Sequence, residues 1–276
     1  MDDALETFSS SLRGSLDPSL RVLFSREFLI CSEHFERFTT ETAGRDLDRL
    51  GLLRLFEEPT TAREALERAG HVARAATALE WMLSKLSEEG FLSVDPASAP
   101  PRYRLRDPHP PADSGARDKA IAIAPSSAPA FAVVEELSKH IVDYFEGRKT
   151  GEEILFSPAR LTLWFDYFNN DNLLYAVNNR LGAEAVSRAL SRSHTSSLLE
   201  LGGGAGSAAL ALLERIERDG LFERIEKYTF TEPVPTFLRR GERSLRARFP
   251  GVALEARKLD MNVSLVEQGI PENSLD

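Results

Sequence analysis

The chain has 276 residues, 42% hydrophobic and 28% charged, with a formal net charge of -9. That composition fits a globular chain long enough for two domains and disfavours nucleic-acid or anionic-membrane partners. The single cysteine, Cys31, excludes an internal disulfide and fits a reducing compartment. No apolar run approaches the roughly 18 residues of a spanning helix, and the acidic start Met1-Asp-Asp-Ala-Leu-Glu is unlike a signal peptide, so the expected location is cytoplasmic.

Residues 1–58 read as helical: Leu20, Leu23, Phe24, Phe28 and Leu29 recur at helical spacing, Phe35 and Phe38 follow, and Leu47, Leu50, Leu53 and Leu55 suggest another short helix. Residues 59–106 have a sharper pattern. Thr61-Ala-Arg-Glu64 has the spacing of a capping box and opens a helix that stops at Gly70. A second helix places Val72, Ala76, Leu79, Met82, Leu83 and Leu86 on one side and stops near Gly90. Phe91-Leu-Ser-Val, a Pro/Ser turn and Tyr103-Arg-Leu then make a two-stranded wing, so the module reads as a winged helix. Such a module binds DNA in one reading and serves packing or dimerisation in the other. From Thr61 to Arg106 seven Lys and Arg face six Asp and Glu. Phosphate binding wants a basic stripe, so packing is favoured.

Residues 107–129, with Pro108, Pro110, Pro111, Pro125 and Pro129, read as a linker. Residues 130–195 read as a helical lid or connector, with helical pattern from Phe131 to Tyr144 and His140 and Tyr144 on one face. Within it, Trp164 to Asn179 is dense in aromatics and carboxamides. Tyr167, Phe168, Asn172 and Tyr175 are candidates for a pocket wall, with Phe168, Asn172 and Tyr175 spaced for one helix face. The competing reading packs the aromatics in a core and places the asparagines at caps.

From Ser196 the periodicity changes to alternating strand and helix, which implies a parallel sheet over residues 196–276. Leu198 to Leu201 is a short strand that opens into Gly202-Gly-Gly-Ala-Gly206 and a helix from Ser207 to Arg218; Lys227 to Glu232 is a second strand, Pro235 to Phe249 an arginine-rich helix, and Val252 to Arg257 a third strand. Ligands of such sheets sit beyond the carboxyl ends of the strands. Glu200, Glu232 and Asp260 fall at those ends. Gly202, Gly203, Gly204 and Gly206 let backbone approach a ligand. Glu232, with Pro233 beside it, can accept from two ribose hydroxyls. Asp260 can accept from an adenine amino group, the Met261 N–H can donate to a ring nitrogen, and the Met261 side chain can cover the ring face. Together these suit S-adenosylmethionine (SAM), with S-adenosylhomocysteine as its product. A dinucleotide fingerprint would place Ser207 at its last glycine and does not ask for an acid before the turn.

Glu200-Leu-Gly-Gly-Gly-Ala-Gly206, Glu232, Leu259-Asp260-Met261 and Pro271-Glu-Asn-Ser-Leu-Asp276 stand in the order of the landmarks of class I SAM-dependent methyltransferases, and the chain resembles that family over about residues 164 to 276. The resemblance implies an α/β fold: the N-terminal half of a Rossmann-like core behind a mainly helical, winged-helix-containing lid. It adds Asp276, at the approach to a fourth strand, to the cofactor-binding set. With its helical first half and aromatic-asparagine segment, the chain is similar to polyketide-synthase C-methyltransferase domains of loading modules. That likeness implies acyl carrier protein and neighbouring synthase domains as partners, a malonyl or β-keto acyl acceptor, a homodimer through the N-terminal half, and a divalent metal (Fe or Mn) in some members. Small-molecule O-methyltransferases share the winged half and stand as the alternative, with a winged-helix DNA-binding or scaffold protein as the alternative of another class. A complete sheet of this class needs roughly three further strands, so more polypeptide is expected to complete it. The catalytic base for either acceptor is expected after Asp276. The five histidines show no metal-ligand spacing, and none is assigned a catalytic role.

Overall fold

The computed structural model describes residues 18–95, 97–106 and 114–272. Asp276 and the rest of the 273–276 stretch lie outside the described residues. The chain divides into two compact units, one of residues 26–164 and one built from residues 165–276 together with the first 25. The boundary thus falls between Trp164 and Phe165, inside the stretch expected to be a single connector.

The unit of residues 26–164 is helical with one small ribbon. Helix α1, Arg26–Arg49, is longer than the sequence pattern suggests, because it runs unbroken through Leu47 before Gly51 (φ 67°) turns the chain. Helix α2, Ala62–Ala69, has the expected capping box. Thr61 Oγ1 accepts from the Glu64 N–H at 3.2 Å, Glu64 Oε2 accepts from the Thr61 N–H at 3.0 Å, and Gly70 ends the helix at φ 73°. Helix α3, Ala76–Glu88, buries Leu79, Met82, Leu83 and Leu86, and Gly90 follows at φ 82°. Strands β1, Leu92–Val94, and β2, Tyr103–Leu105, pair antiparallel. Leu47, Leu52, Phe56, Leu66, Leu79, Leu83, Leu86, Leu92 and Phe145 close one core over these elements.

The stretch read as a linker is only partly one. Residues 107–113 lie outside the described set, but Ala116–Ile123 is a helix, α4, that starts after Gly115 (φ 69°). Ala116 and Ala120, one turn apart, are buried, and Cys31 Sγ meets the Ala120 carbonyl at 3.5 Å. Of the prolines that suggested a linker, Pro108, Pro110 and Pro111 lie outside the described residues, and Pro125 and Pro129 sit at helix starts. Pro125 opens a 3-10 turn, and Pro129 lies in the first turn of α5, Ala128–Lys139, where a missing N–H leaves no bond unmade. His140 ends α5 and caps the start of α6, Ile141–Phe145, where its carbonyl accepts from the Tyr144 N–H one turn on at 3.0 Å. The ring lies among charges, with Nε2 3.3 Å from Glu136 and Nδ1 3.2 Å from Lys149. Helices α7, Gly151–Leu155, and α8, Leu161–Tyr167, follow.

The other unit begins its main fold at helix α9, Leu173–Leu190. Strand β3, Ser196–Glu200, helix α10, Ser207–Arg218, strand β4, Ile225–Thr231, helix α11, Pro235–Arg248, and strand β5, Leu254–Arg257, alternate as expected. The sheet is parallel, in the order β3-β4-β5, with Leu199 opposite Thr229 and Thr229 opposite Glu255. Its core joins Leu190, Ala209, Leu213, Ile216, Tyr228, Phe230, Leu245 and Phe249. Parallel pairing directs all three strands the same way, so the segments after Glu200, Thr231 and Arg257 emerge at one edge of the sheet.

Candidate functional site

The glycine turn between β3 and α10 is the centre of that edge, and its glycines divide into two kinds. Gly203 and Gly206 are needed for packing. A Cβ on Gly203 would lie 2.2 Å from Phe230 Cε2, and one on Gly206 would lie 3.1 Å from the Gly241 Cα of α11. Gly241 itself leaves room for the opposite edge of Phe230, whose Cζ would be 2.5 Å from a Cβ there. Phe230, fully buried, is therefore a wedge between the turn and α11. Gly204 is of the second kind: its φ is 56°, and nothing lies within 4 Å of a Cβ built on it. Gly203 and Gly206 therefore have a packing reason beside the ligand-facing one expected of the turn, and Gly204 has none. Gly202 (φ 67°) is intermediate, since a Cβ there would meet the Met261 methyl at 3.0 Å.

Glu232 follows β4 and is 6% exposed. Its Oε2 accepts from the Gly204 N–H at 3.0 Å and its Oε1 from the Val234 N–H at 2.9 Å. Each oxygen keeps a second lone pair for another donor. Gly203 donates to the Thr231 carbonyl at 2.8 Å, so two consecutive turn amides are tied to the end of β4. Pro233, half-buried, sits between Glu232 and Val234 and has no N–H to compete for the carboxylate.

Glu200, at the end of β3, lies beneath the turn, with its carboxyl carbon 3.1 Å from where a Gly203 Cβ would stand. Tyr228 donates to its Oε2 at 2.9 Å. Burial pushes the Glu200 carboxyl up to about 7, against the opposing pull of the Tyr228 hydroxyl and the Ala209 backbone. Thr231 Oγ1 donates to the Glu200 carbonyl at 2.6 Å.

Asp260 stands three residues beyond β5. Its Oδ1 accepts from both the backbone N–H and the side-chain Nδ2 of Asn262, each at 2.9 Å. Those two bonds, the backbone one first, hold its carboxyl below the usual range. Oδ2 has no hydrogen-bond partner among the described residues, nor does the Met261 N–H. Met261 is 60% exposed. Asn262, which the sequence reading passed over, gives its signal as Asp-x-Asn, a side chain positioned to bond its own backbone two residues on.

The aromatic-asparagine segment reaches the same turn, though not as one helix face. α8 ends at Tyr167, and Asn172 is the N-cap of α9, its Oδ1 accepting from the Leu174 N–H at 3.3 Å. Its Nδ2 donates to the Tyr167 carbonyl at 2.9 Å, and the residue is 1% exposed. Asn172 therefore acts as the competing cap reading describes. Tyr167, Phe168 and Tyr175 form a ring cluster, with centroids 5.0 to 5.5 Å apart. Tyr175 Oη is 3.3 Å from Ser207 Oγ, and Asn170 Nδ2 donates to the Ser207 carbonyl at 2.7 Å. Asn170, which lies outside the expected pocket wall, thus ties this segment to the first residue of α10, beside Gly206.

Among the described residues no group of three or more His, Cys, Asp or Glu is placed to hold a metal ion. The divalent metal implied by the resemblance thus finds no fitting donor set there. Among them, too, no helix is long and apolar enough to cross a membrane.

The fold, with its parallel sheet and glycine turn, is similar to that of solved methyltransferase structures. Three solved structures resemble it in fold. The DszA carbon methyltransferase matches with a TM-score of 0.63 at 18% identity, over 87% of this chain and 61% of that one. The CurJ carbon methyltransferase matches with a TM-score of 0.65 at 17% identity, over 97% of this chain and 67% of that one. The CMeT domain of the citrinin polyketide synthase matches with a TM-score of 0.59 at 15% identity, over 84% of this chain and 59% of that one. The chain thus spans about three fifths of the length of the first of them. No family model matches the sequence, and no curated protein does.

Proposed function

We propose that this chain is a SAM-dependent methyltransferase that methylates carbon on a polyketide intermediate, malonyl or β-keto in type, carried by an acyl carrier protein. The observation that carries the reading is the buried Glu232 carboxylate, held by the N–H groups of Gly204 and Val234 at the end of the second strand. A carboxylate fixed that way is a rigid acceptor for a pair of neighbouring hydroxyls, as on a ribose. Beside it Gly204 offers bare backbone, while Asp260 Oδ2 and the Met261 N–H are an acceptor and a donor suited to the amino group and ring nitrogen of adenine. Glu200 and the glycine turn suit the amino-acid end of the cofactor, and Tyr167, Phe168 and Tyr175 a wall near it.

When bound, SAM supplies an electrophilic methyl group on a sulfonium. The chain's part is to hold donor and acceptor in line and to exclude water. An acceptor carbon must give up a proton, and no described residue is assigned as its base. The carbon acceptor and the carrier-protein partner rest on likeness to three carbon-methyltransferase structures, one of them from a polyketide synthase. We further infer that residues 59–106 form a winged-helix module used for packing or homodimerisation. In support, Lys85 pairs with Glu36, Arg102 with Glu64, and Arg74 donates to the Lys149 carbonyl, so these cations are engaged within the protein.

The test is incubation of a polypeptide that carries this chain together with a completed methyltransferase sheet, with SAM and a malonyl or β-keto acyl carrier protein, followed by mass analysis of the acyl group. Gain of one methyl on carbon is the expected result. Methylation only of small phenols or alcohols would contradict the carbon acceptor.

A further inference from the structure

The loop that presents Asp260 and Met261 leaves the sheet after Arg257 and so loses its ladder partners, and one distant side chain replaces them. The Gln268 carboxamide accepts from the Asp260 N–H through Oε1 at 2.8 Å and donates to the Asp260 carbonyl through Nε2 at 2.7 Å. A primary carboxamide has the donor and acceptor of a peptide group, so this two-point contact is what a neighbouring strand would supply. The same Nε2 lies 3.0 Å from the Val263 carbonyl and 3.4 Å from that of Ser264, gathering the loop's inward-facing oxygens. Gln268 is itself anchored: its N–H donates to the Leu265 carbonyl at 3.1 Å, and its carbonyl accepts from the Arg257 guanidinium at the end of β5. Gly269, at φ 80°, turns the chain next to it, with 3.4 Å between a Cβ built there and that guanidinium. With the backbone of Asp260 fixed on both sides and Oδ1 held by Asn262, the free Oδ2 and the Met261 N–H have one direction each.

We propose that Gln268 is the positioning residue that makes this site selective for a 6-amino purine. The inference rests on the SAM reading above and adds to it a residue that touches no ligand. A carboxylate oxygen in a fixed place accepts from an amino group and repels a carbonyl oxygen at the same position. On a loose loop it does neither. Loss of Gln268 should therefore reduce discrimination more than it reduces binding as such.

The test is calorimetric titration of the full chain, of Gln268→Ala and of Gln268→Glu, with S-adenosylhomocysteine and with its inosine analogue, which bears a carbonyl in place of the 6-amino group. Gln268→Glu keeps the acceptor for the Asp260 N–H and loses the donor to its carbonyl. The parent is expected to prefer the adenosine ligand by about a hundredfold, a difference of about 2.7 kcal/mol. Both variants should compress that ratio to within about fivefold, mainly by weakening the adenosine ligand. A merely structural role would weaken both ligands equally and leave the ratio unchanged, and that result would overturn the inference alone. Failure of the parent to bind either ligand would overturn the SAM reading and this inference with it.

Discussion

Glu200 shows how one buried group sets a pH dependence. Its carboxyl is raised from 4.5 to about 7 in the folded chain, with burial as the main cause. Between those values the native state holds a proton that the unfolded chain has released, so stability is full below about pH 4.5 and falls until about pH 7. The total loss is on the order of 3 kcal/mol. Denaturant melts across that range should show the decline, and Glu200→Gln should remove this part of it. A flat parent profile would contradict the account. The glycines offer a second contrast. Gly203→Ala forces a methyl into the Phe230 ring and should cost about 1–3 kcal/mol. Gly204→Val meets open space at a positive φ, so it should cost about 1–2 kcal/mol of backbone strain while abolishing S-adenosylhomocysteine binding. If the two variants lost stability and binding in parallel, the division between packing glycine and ligand-facing glycine would fail.

At the level of elements, helix α9 is bound to α10 through ionic groups as well as apolar ones. Glu184, 5% exposed, pairs with Arg188 at 2.8 Å and with Arg215, while Arg215 and Ser187 both reach Asp219 Oδ2. Removing Arg215 takes an ion-pair partner from a buried acid, and Arg215→Ala should destabilise by about 3 kcal/mol. Replacing Arg215 and Glu184 together with apolar residues of similar size should cost much less, and chemical denaturation of the two variants measures the difference. The elements most legible in the sequence were those with a local signal. The capping box at Thr61, the left-handed glycines 70 and 90, and the strand-turn-helix at Leu198 to Arg218 all follow from neighbours within a few residues. Helix α4 was obscured because the prolines flanking it outweighed the small buried face of Ala116 and Ala120.

At the scale of the whole molecule, the site combines signals of unequal range. The placement of Glu200, Gly204, Glu232 and Asp260 was readable because each stands at or beyond the end of a strand, and strand ends gather at one edge in a parallel sheet. Gln268 and Asn170 were not, because each acts on a segment remote in sequence: Gln268 on a loop eight residues before it, and Asn170 on a carbonyl 37 residues after it. Gly241 did leave a trace: a glycine inside an arginine-rich helix costs about 1 kcal/mol and asks for a packing reason, which the Phe230 ring provides. The likeness to carbon methyltransferases extends over 87% of the chain in one case and 97% in another, so it includes the helical first half as well as the sheet. The account depends on Glu232 as the acceptor of the cofactor's hydroxyls. Its most direct test is calorimetric titration of the full chain and of Glu232→Ala with S-adenosylhomocysteine. One site per chain in the parent, weakened at least a hundredfold in the variant (about 2.7 kcal/mol), is the predicted result. No binding by the parent, or equal affinity in the two, would contradict it.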